Sequence, residues 1–146
     1  MAKAISNTES GERAVEFVLA QVKCPYCGKT LIDLPRATPV YDVACSRCEF
    51  RAQVKSVETR KRSRIRGASA RPLAGLRLAG KLSPPLSVVW EWDGTVRSAA
   101  EISLFPLVPW SHLHERAPPA NHAMMPGRLM VDYHDLQLLP HFELYP

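Results

Sequence analysis

The chain has 146 residues and a mass of 16.3 kDa, the size of one ordinary domain. Hydrophobic residues make up 46% and charged residues 23%, which excludes wholesale disorder. No run approaches the roughly 18 apolar residues that a membrane span needs. The net charge of +5 is concentrated. Residues 51–81 hold ten Lys/Arg against the single acid Glu58, while the remainder holds nine bases and thirteen acids. One basic segment in an otherwise acidic chain points to a polyanion partner. Residues 1–12 lack an apolar signal core, so a cytoplasmic protein is expected.

From residue 11 to 22, Ala14, Val15, Val18, Leu19 and Val22 recur at helical spacing and predict an amphipathic helix, with Ser10 as a candidate N-cap. Residues 39–44 read as a strand. Residues 50–57 alternate: Phe50, Ala52 and Val54 face one way, Arg51, Gln53 and Lys55 the other. Residues 58–67 are expected to form a basic loop. A second helix over 68–81 is expected to be broken early by Pro72. Residues 86–92 read as a strand, Asp93-Gly94 as a hairpin turn, and 95–107 as a returning strand plus loop. A short helix start is expected at 109–113, a strand over 128–133 and a hydrophobic tail over 136–146. The order predicts an α/β or α+β domain over 1–146, built on a mixed sheet flanked by helices.

All four cysteines fall in the pattern Cys24-x2-Cys27-x17-Cys45-x2-Cys48. In a chain with no secretion signal this spacing reads as a zinc ribbon before it reads as disulfides. Each CxxC turn sets two thiolates on one side of a tight turn, and two such turns complete a tetrahedral site. A closed set of four thiolates leaves no open position, so the expected zinc is structural.

Asp42 ends one predicted strand, and Gln53 and Lys55 share a face of the next. The second CxxC turn joins these strands and would hold the three side chains together. A carboxylate, a second oxygen ligand and a lysine can together bind Mg2+ and support attack on a phosphodiester. Polar residues on a solvated strand give the same pattern.

The stretch 24–56 resembles the zinc-containing catalytic domain of DpnI-type restriction endonucleases, of the PD-(D/E)xK nuclease superfamily. Cys24-Pro25-Tyr26-Cys27-Gly28 matches the family's CPxCG turn. Asp42 matches its catalytic Asp, with the second CxxC pair following three residues later. The family's acid and lysine, eleven and thirteen residues past that Asp, fall on Gln53 and Lys55. The likeness extends over about residues 10–140: residues 86–92 resemble a family core strand, and Val131-Asp132-Tyr133-His134-Asp135-Leu136 an NxDL-like segment. The resemblance implies a Mg2+-dependent DNA endonuclease. Asp42 and Gln53 would ligate Mg2+, Lys55 would activate water, and Cys24, Cys27, Cys45 and Cys48 would hold zinc. Gln53 stands where the family has Glu, a QxK variation that resembles Mrr-type nucleases. A helix acid, Glu12 or Glu16, would then supplement Asp42. The chain ends near where the family's C-terminal winged-helix domain would begin, so site specificity is not implied.

Arg60, Lys61, Arg62, Arg64 and Arg66 follow the proposed catalytic strand and are expected to hold DNA phosphates, with Arg71, Arg77 and Lys81 continuing the track. Of the five histidines, His112-x-His114 has a spacing that could bind metal, but no Cys or acid set accompanies it, and surface or loop roles are expected. Trp90 and Trp92 share a strand face that suits a core or a base-stacking platform. Asp132 and Asp135 read as turn or cap residues. The rival readings are a catalytically inactive zinc-ribbon nucleic-acid-binding protein and an accessory subunit of a multi-chain nuclease. Double-strand cutting by a single-site domain often needs two active sites, so a homodimer fits the nuclease reading, and a partner protein fits the accessory one.

Overall fold

A computed structural model describes residues 7–35, 38, 40–57, 65–91, 99–116 and 130–146. The first helix, α1 (Asn7–Gln21), carries the apolar stripe legible in the sequence. Ala14, Val18 and Val22 are buried against the sheet, and Glu12 and Glu16 flank Val15 at the N-terminal half. Three strands follow: β1 (Leu31–Asp33), β2 (Val43–Cys45) and β3 (Arg51–Val57), each antiparallel to the next. The expected strand over 39–44 is only half formed. Val40 has φ 72°, a left-handed conformation costly for a β-branched residue, and it turns the chain out of extended form before β2.

The expected basic loop instead ends in β4 (Ile65–Ser69), which runs directly into α2 (Ala70–Leu78). Pro72 does not break α2. It lies in the first turn, where its missing N–H has no helical partner to lose. The helix stops at Gly80, φ 71°, where the Lys81 N–H bonds Leu76 O and the Gly80 N–H bonds Arg77 O.

Beyond it, β5 (Leu86–Glu91) pairs parallel with β3, Gln53 opposite Leu86. A crossover holding β4 and α2 makes that parallel return possible. β6 (Ala99–Phe105) returns antiparallel to β5, as the hairpin reading expects, although the Asp93-Gly94 turn lies outside the described residues. A 3-10 turn at Trp110–His112 leads to β7 (Leu113–Arg116), a strand not expected from the sequence. β8 (Met130–Tyr133) falls on the expected strand. The tail forms a 3-10 turn at Leu136–Leu138 and β9 (Phe142–Tyr145).

The main sheet runs β1-β2-β3-β5-β6-β9, and a second runs β4-β8-β7. This is the mixed α+β architecture expected from the sequence. Two apolar clusters divide the core. One packs α1 on Val43, Ala52, Val54, Val89, Ile102 and Leu104. The other joins Leu73 of α2 and Ile65, Val131 and Tyr133 of the second sheet to Leu86, Val88, Trp90 and Phe105. Trp90 belongs to this core, with its Nε1–H donating to Ser103 Oγ at 2.9 Å. A base-stacking platform on Trp90 is therefore ruled out. Trp92 lies outside the described residues. Asp132 is 1% exposed within β8, so it is not a turn residue. Among the described residues no helix is long and apolar enough to cross a membrane.

Candidate metal centre and acidic cleft

The four cysteines converge. Their sulfur atoms all lie within 4.8 Å of one another, with Cys24 and Cys48 Sγ 3.5 Å apart and Cys27 and Cys45 Sγ 3.4 Å apart. These separations exceed the ~2.05 Å of a disulfide bond. The two close pairs lie a little inside the edge of about 3.8 Å that four sulfurs make around an ion at ~2.3 Å, and the whole set stays within 4.8 Å. The set is thus able to hold a metal ion and is compatible with zinc.

Local backbone builds both halves. Cys24 N–H bonds Lys29 O and Gly28 N–H bonds Cys24 O, and the reversal between them needs the φ of 78° that Gly28 adopts. In the second turn Cys45 N–H bonds Phe50 O, while the N–H groups of Arg47 and Cys48 each donate to Cys45 Sγ at 3.3 Å. Burial works to raise the Cys45 thiol, but the Cys48 and Arg47 amides, together with the Cys27 and Cys48 thiols, outweigh it and its pKa falls to about 6. The Ser46 N–H reaches Thr30 O at 3.0 Å and ties one turn to the other.

Three residues before Cys45, Asp42 sits where the β2–β3 ladder ends. Its N–H donates to Ala52 O at 2.9 Å, and its Oδ2 accepts the Val54 N–H at 2.7 Å. The register Val43↔Ala52 continued one step sets Asp42 beside Gln53. At this point β3 turns to its other neighbour, and the Gln53 N–H bonds Pro85 O just before β5.

Asp42, Gln53 and Lys55 line one cleft of about 440 Å³, together with Glu12, Glu16 and Asp33. The structure thus brings together the three residues singled out in the sequence, and Glu16 with them. Burial raises the Asp42 carboxyl above the ordinary carboxylate range. The Val54 N–H and the Lys55 charge pull it back, and the Asp33 charge adds to the rise. Burial lowers Lys55 below an ordinary lysine, opposed by Asp42.

Two cleft-linked residues were missed in the sequence. Asp33 lies on β1, a three-residue strand too short to show alternation. Tyr133 is fully buried on β8, and its hydroxyl donates a hydrogen bond to Gln53 Oε1. Burial, with the Asp42 charge adding, raises its phenol. A buried tyrosine hydroxyl needs a partner, but no spacing rule links residues 80 positions apart.

Of the expected DNA-contacting cations, Arg60, Lys61, Arg62 and Arg64 lie outside the described residues, and Arg66 is placed on β4 by its backbone alone. Arg71, Arg77 and Lys81 are exposed on or just beyond α2, with the Arg77 guanidinium 5.9 Å from the Trp110 ring centre. His112 and His134 are joined through His112 Nδ1 and His134 O at 2.8 Å, and the His114 and His134 rings stack at 4.4 Å. Among the described residues only the four cysteines form a group of three or more His, Cys, Asp or Glu able to share an ion. Compared with models of known protein families and with curated proteins, the sequence matches none.

Proposed function

We propose that the cleft is the active site of a metal-dependent nuclease that hydrolyses DNA phosphodiester bonds. The observation that carries this reading is the meeting of Asp42, Gln53 and Lys55 in one solvent-open cleft lined by three more carboxylates. A strand surface with incidental polar residues would leave a lysine and an aspartate solvated, whereas Asp42 and Lys55 are each half-buried beside the other. The mixed sheet with flanking helices agrees with what the resemblance implies, and the exposed cations on α2 suit a polyanion.

The oxygen donors that line the cleft are of the kind Mg2+ takes, and since that ion keeps several waters few protein ligands would suffice. Asp42 would hold it, with Asp33, Glu12 and Glu16 as the neighbouring acids. When bound, such an ion supplies Lewis-acid charge to the scissile phosphate. Lys55, lowered by burial, stands closer to neutrality than an exposed lysine. It can orient the attacking water, help take up its proton and stabilise the charge that develops on the phosphoryl oxygens. Cys24, Cys27, Cys45 and Cys48 would hold a structural zinc that fixes the turn three residues from Asp42.

One observation favours a second reading. The uncharged Gln53 is tied by its oxygen to Tyr133, which suits a binding module with a dead site. Plasmid cleavage with Mg2+ or Mn2+ separates the two readings. Cutting that is lost in Lys55→Ala, with zinc content and DNA binding kept, supports the nuclease. No cutting by the unaltered chain, with salt-sensitive DNA binding intact, supports the binding module.

A further inference from the structure

A hydrogen bond links the second sheet to the cleft. Tyr133, from β8, is buried in the cluster that holds Leu86 and Trp90, and its hydroxyl ends on Gln53 Oε1. The chemistry of the two groups fixes which way the amide faces. A phenol has one proton to donate, while a carboxamide has one acceptor oxygen and a donor NH2 group. Among the described residues, Gln53 Oε1 is the acceptor recorded for the Tyr133 hydroxyl. Turning the amide over would set its NH2 against the phenol oxygen, which can accept, but among the described residues would leave the buried O–H without a second acceptor. The amide is therefore held with its oxygen toward β8. Gln53 is only 8% exposed, yet it lines the cleft, so the half of the amide left for the cleft is its nitrogen.

We propose that Tyr133 is a positioning residue that pins the Gln53 oxygen, so that Gln53 offers N–H donors to an anionic oxygen of bound phosphodiester rather than a carbonyl to a metal ion. Lys55, two positions along on the same face of β3, offers a second donor. The carboxylates Asp33 and Asp42 come from β1 and from the start of β2. The site then has an anion-binding strand and a cation-binding pair of acids. This also accounts for a glutamine at position 53. A carboxylate there would meet the substrate with the wrong charge. The inference rests on the reading of the cleft as a phosphodiester site.

Gln53→Glu separates the alternatives. A metal ligand at 53 would be improved by the added charge, and cleavage would rise. A donor at 53 would be destroyed, and cleavage should fall at least tenfold, with weaker binding of a duplex oligonucleotide. Cleavage equal to or above that of the unaltered chain overturns the proposal. Tyr133→Phe should also lower cleavage, and a double-mutant cycle shows whether it acts through the amide. In a Gln53→Leu background the Tyr133→Phe effect should vanish. An undiminished effect there means a merely structural role and overturns the proposal.

If the unaltered chain cuts nothing, the nuclease reading fails and a nitrogen-15 NMR titration with inorganic phosphate decides the inference by itself. Phosphate should shift the Gln53 side-chain NH2 signals in the unaltered chain and leave them unmoved in Tyr133→Phe. No shift in the unaltered chain, or an equal shift in both, overturns it.

Discussion

Asp42 and Val54 share a 2.7 Å hydrogen bond that replaces a rung of the sheet. The Asp42 backbone gives its N–H to Ala52 O, and its carboxylate takes the next outward N–H of β3. The side chain thereby closes the ladder where β3 leaves β2 for β5. Its second oxygen is left for the cleft, so one residue both ends the hairpin and faces the candidate chemistry.

The two roles come apart by substitution. Asp42→Asn keeps an oxygen for the Val54 N–H and removes the charge. It should fold with unchanged or raised stability and lose cutting. Asp42→Ala leaves the buried Val54 N–H unpaired and should be destabilised by about 1–3 kcal/mol. Urea denaturation of both variants checks this, and equal stabilities would disprove the ladder role.

Charge burial in the cleft should appear in the pH dependence of stability, measured without added divalent cation. The Asp42 carboxyl is raised in the folded chain. Its contribution to stability is therefore fully present below its unfolded value of about 3.8 and is lost as pH rises through the folded value. The Tm of the unaltered chain minus that of Asp42→Asn should grow as pH is lowered from 7 toward the unfolded value of about 3.8. Lys55 is lowered, so its contribution is present above about 10.5 and is lost as pH falls through the folded value. The Tm difference from Lys55→Met should accordingly grow from pH 7 to pH 10. Flat differences would mean that neither group is desolvated.

The features legible in the sequence were those with local signals. The α1 stripe, the β3 alternation and the apolar run of β5 each declare their own period. The cysteine spacing declares its chemistry. Asp42, Gln53 and Lys55 came within reach because a single short turn joins their strands. What escaped depends on tertiary pairing. β1, β7 and β9 are three or four residues long and exist because a neighbouring strand accepts them. Tyr133 reaches Gln53 only because α2 carries the chain across and lets β8 close beneath β3 and β5. Val40 shows the limit of propensity, since a β-branched residue inside an apolar run takes a left-handed turn.

Leu86 couples core packing to the cleft. It has no exposed surface, sits opposite Gln53 in the parallel pair and packs in the cluster with Tyr133. Leu86→Ala should be destabilised by about 2–5 kcal/mol through the cavity it leaves. Freed space beside Tyr133 should also loosen the Tyr133–Gln53 bond, so cutting should fall even where the variant is fully folded. Denaturant midpoints with cleavage assays at low temperature check both effects, and full activity in the folded variant would show that the bond does not depend on this packing.

The cysteine group should hold one zinc per chain, and its removal should act locally before it acts globally. Formation of a four-thiolate zinc site contributes on the order of 10 kcal/mol. Here that free energy would fasten the turn after α1 to the turn between β2 and β3. Beyond these turns, β1 is held to the main sheet only through its pairing with β2. Cys48→Ser should therefore lose zinc, measured by metal analysis of the purified chain. Amide exchange should quicken first at Leu34, Val43 and Val54, while β5 and β6, buried between neighbours, keep their protection. The Val54 amide is the decisive probe, because its protection comes from Asp42 itself. Faster exchange at Val54 with β5 unchanged would mean that the metal holds the acid in place. Uniform exchange across the main sheet would mean that it holds only the fold.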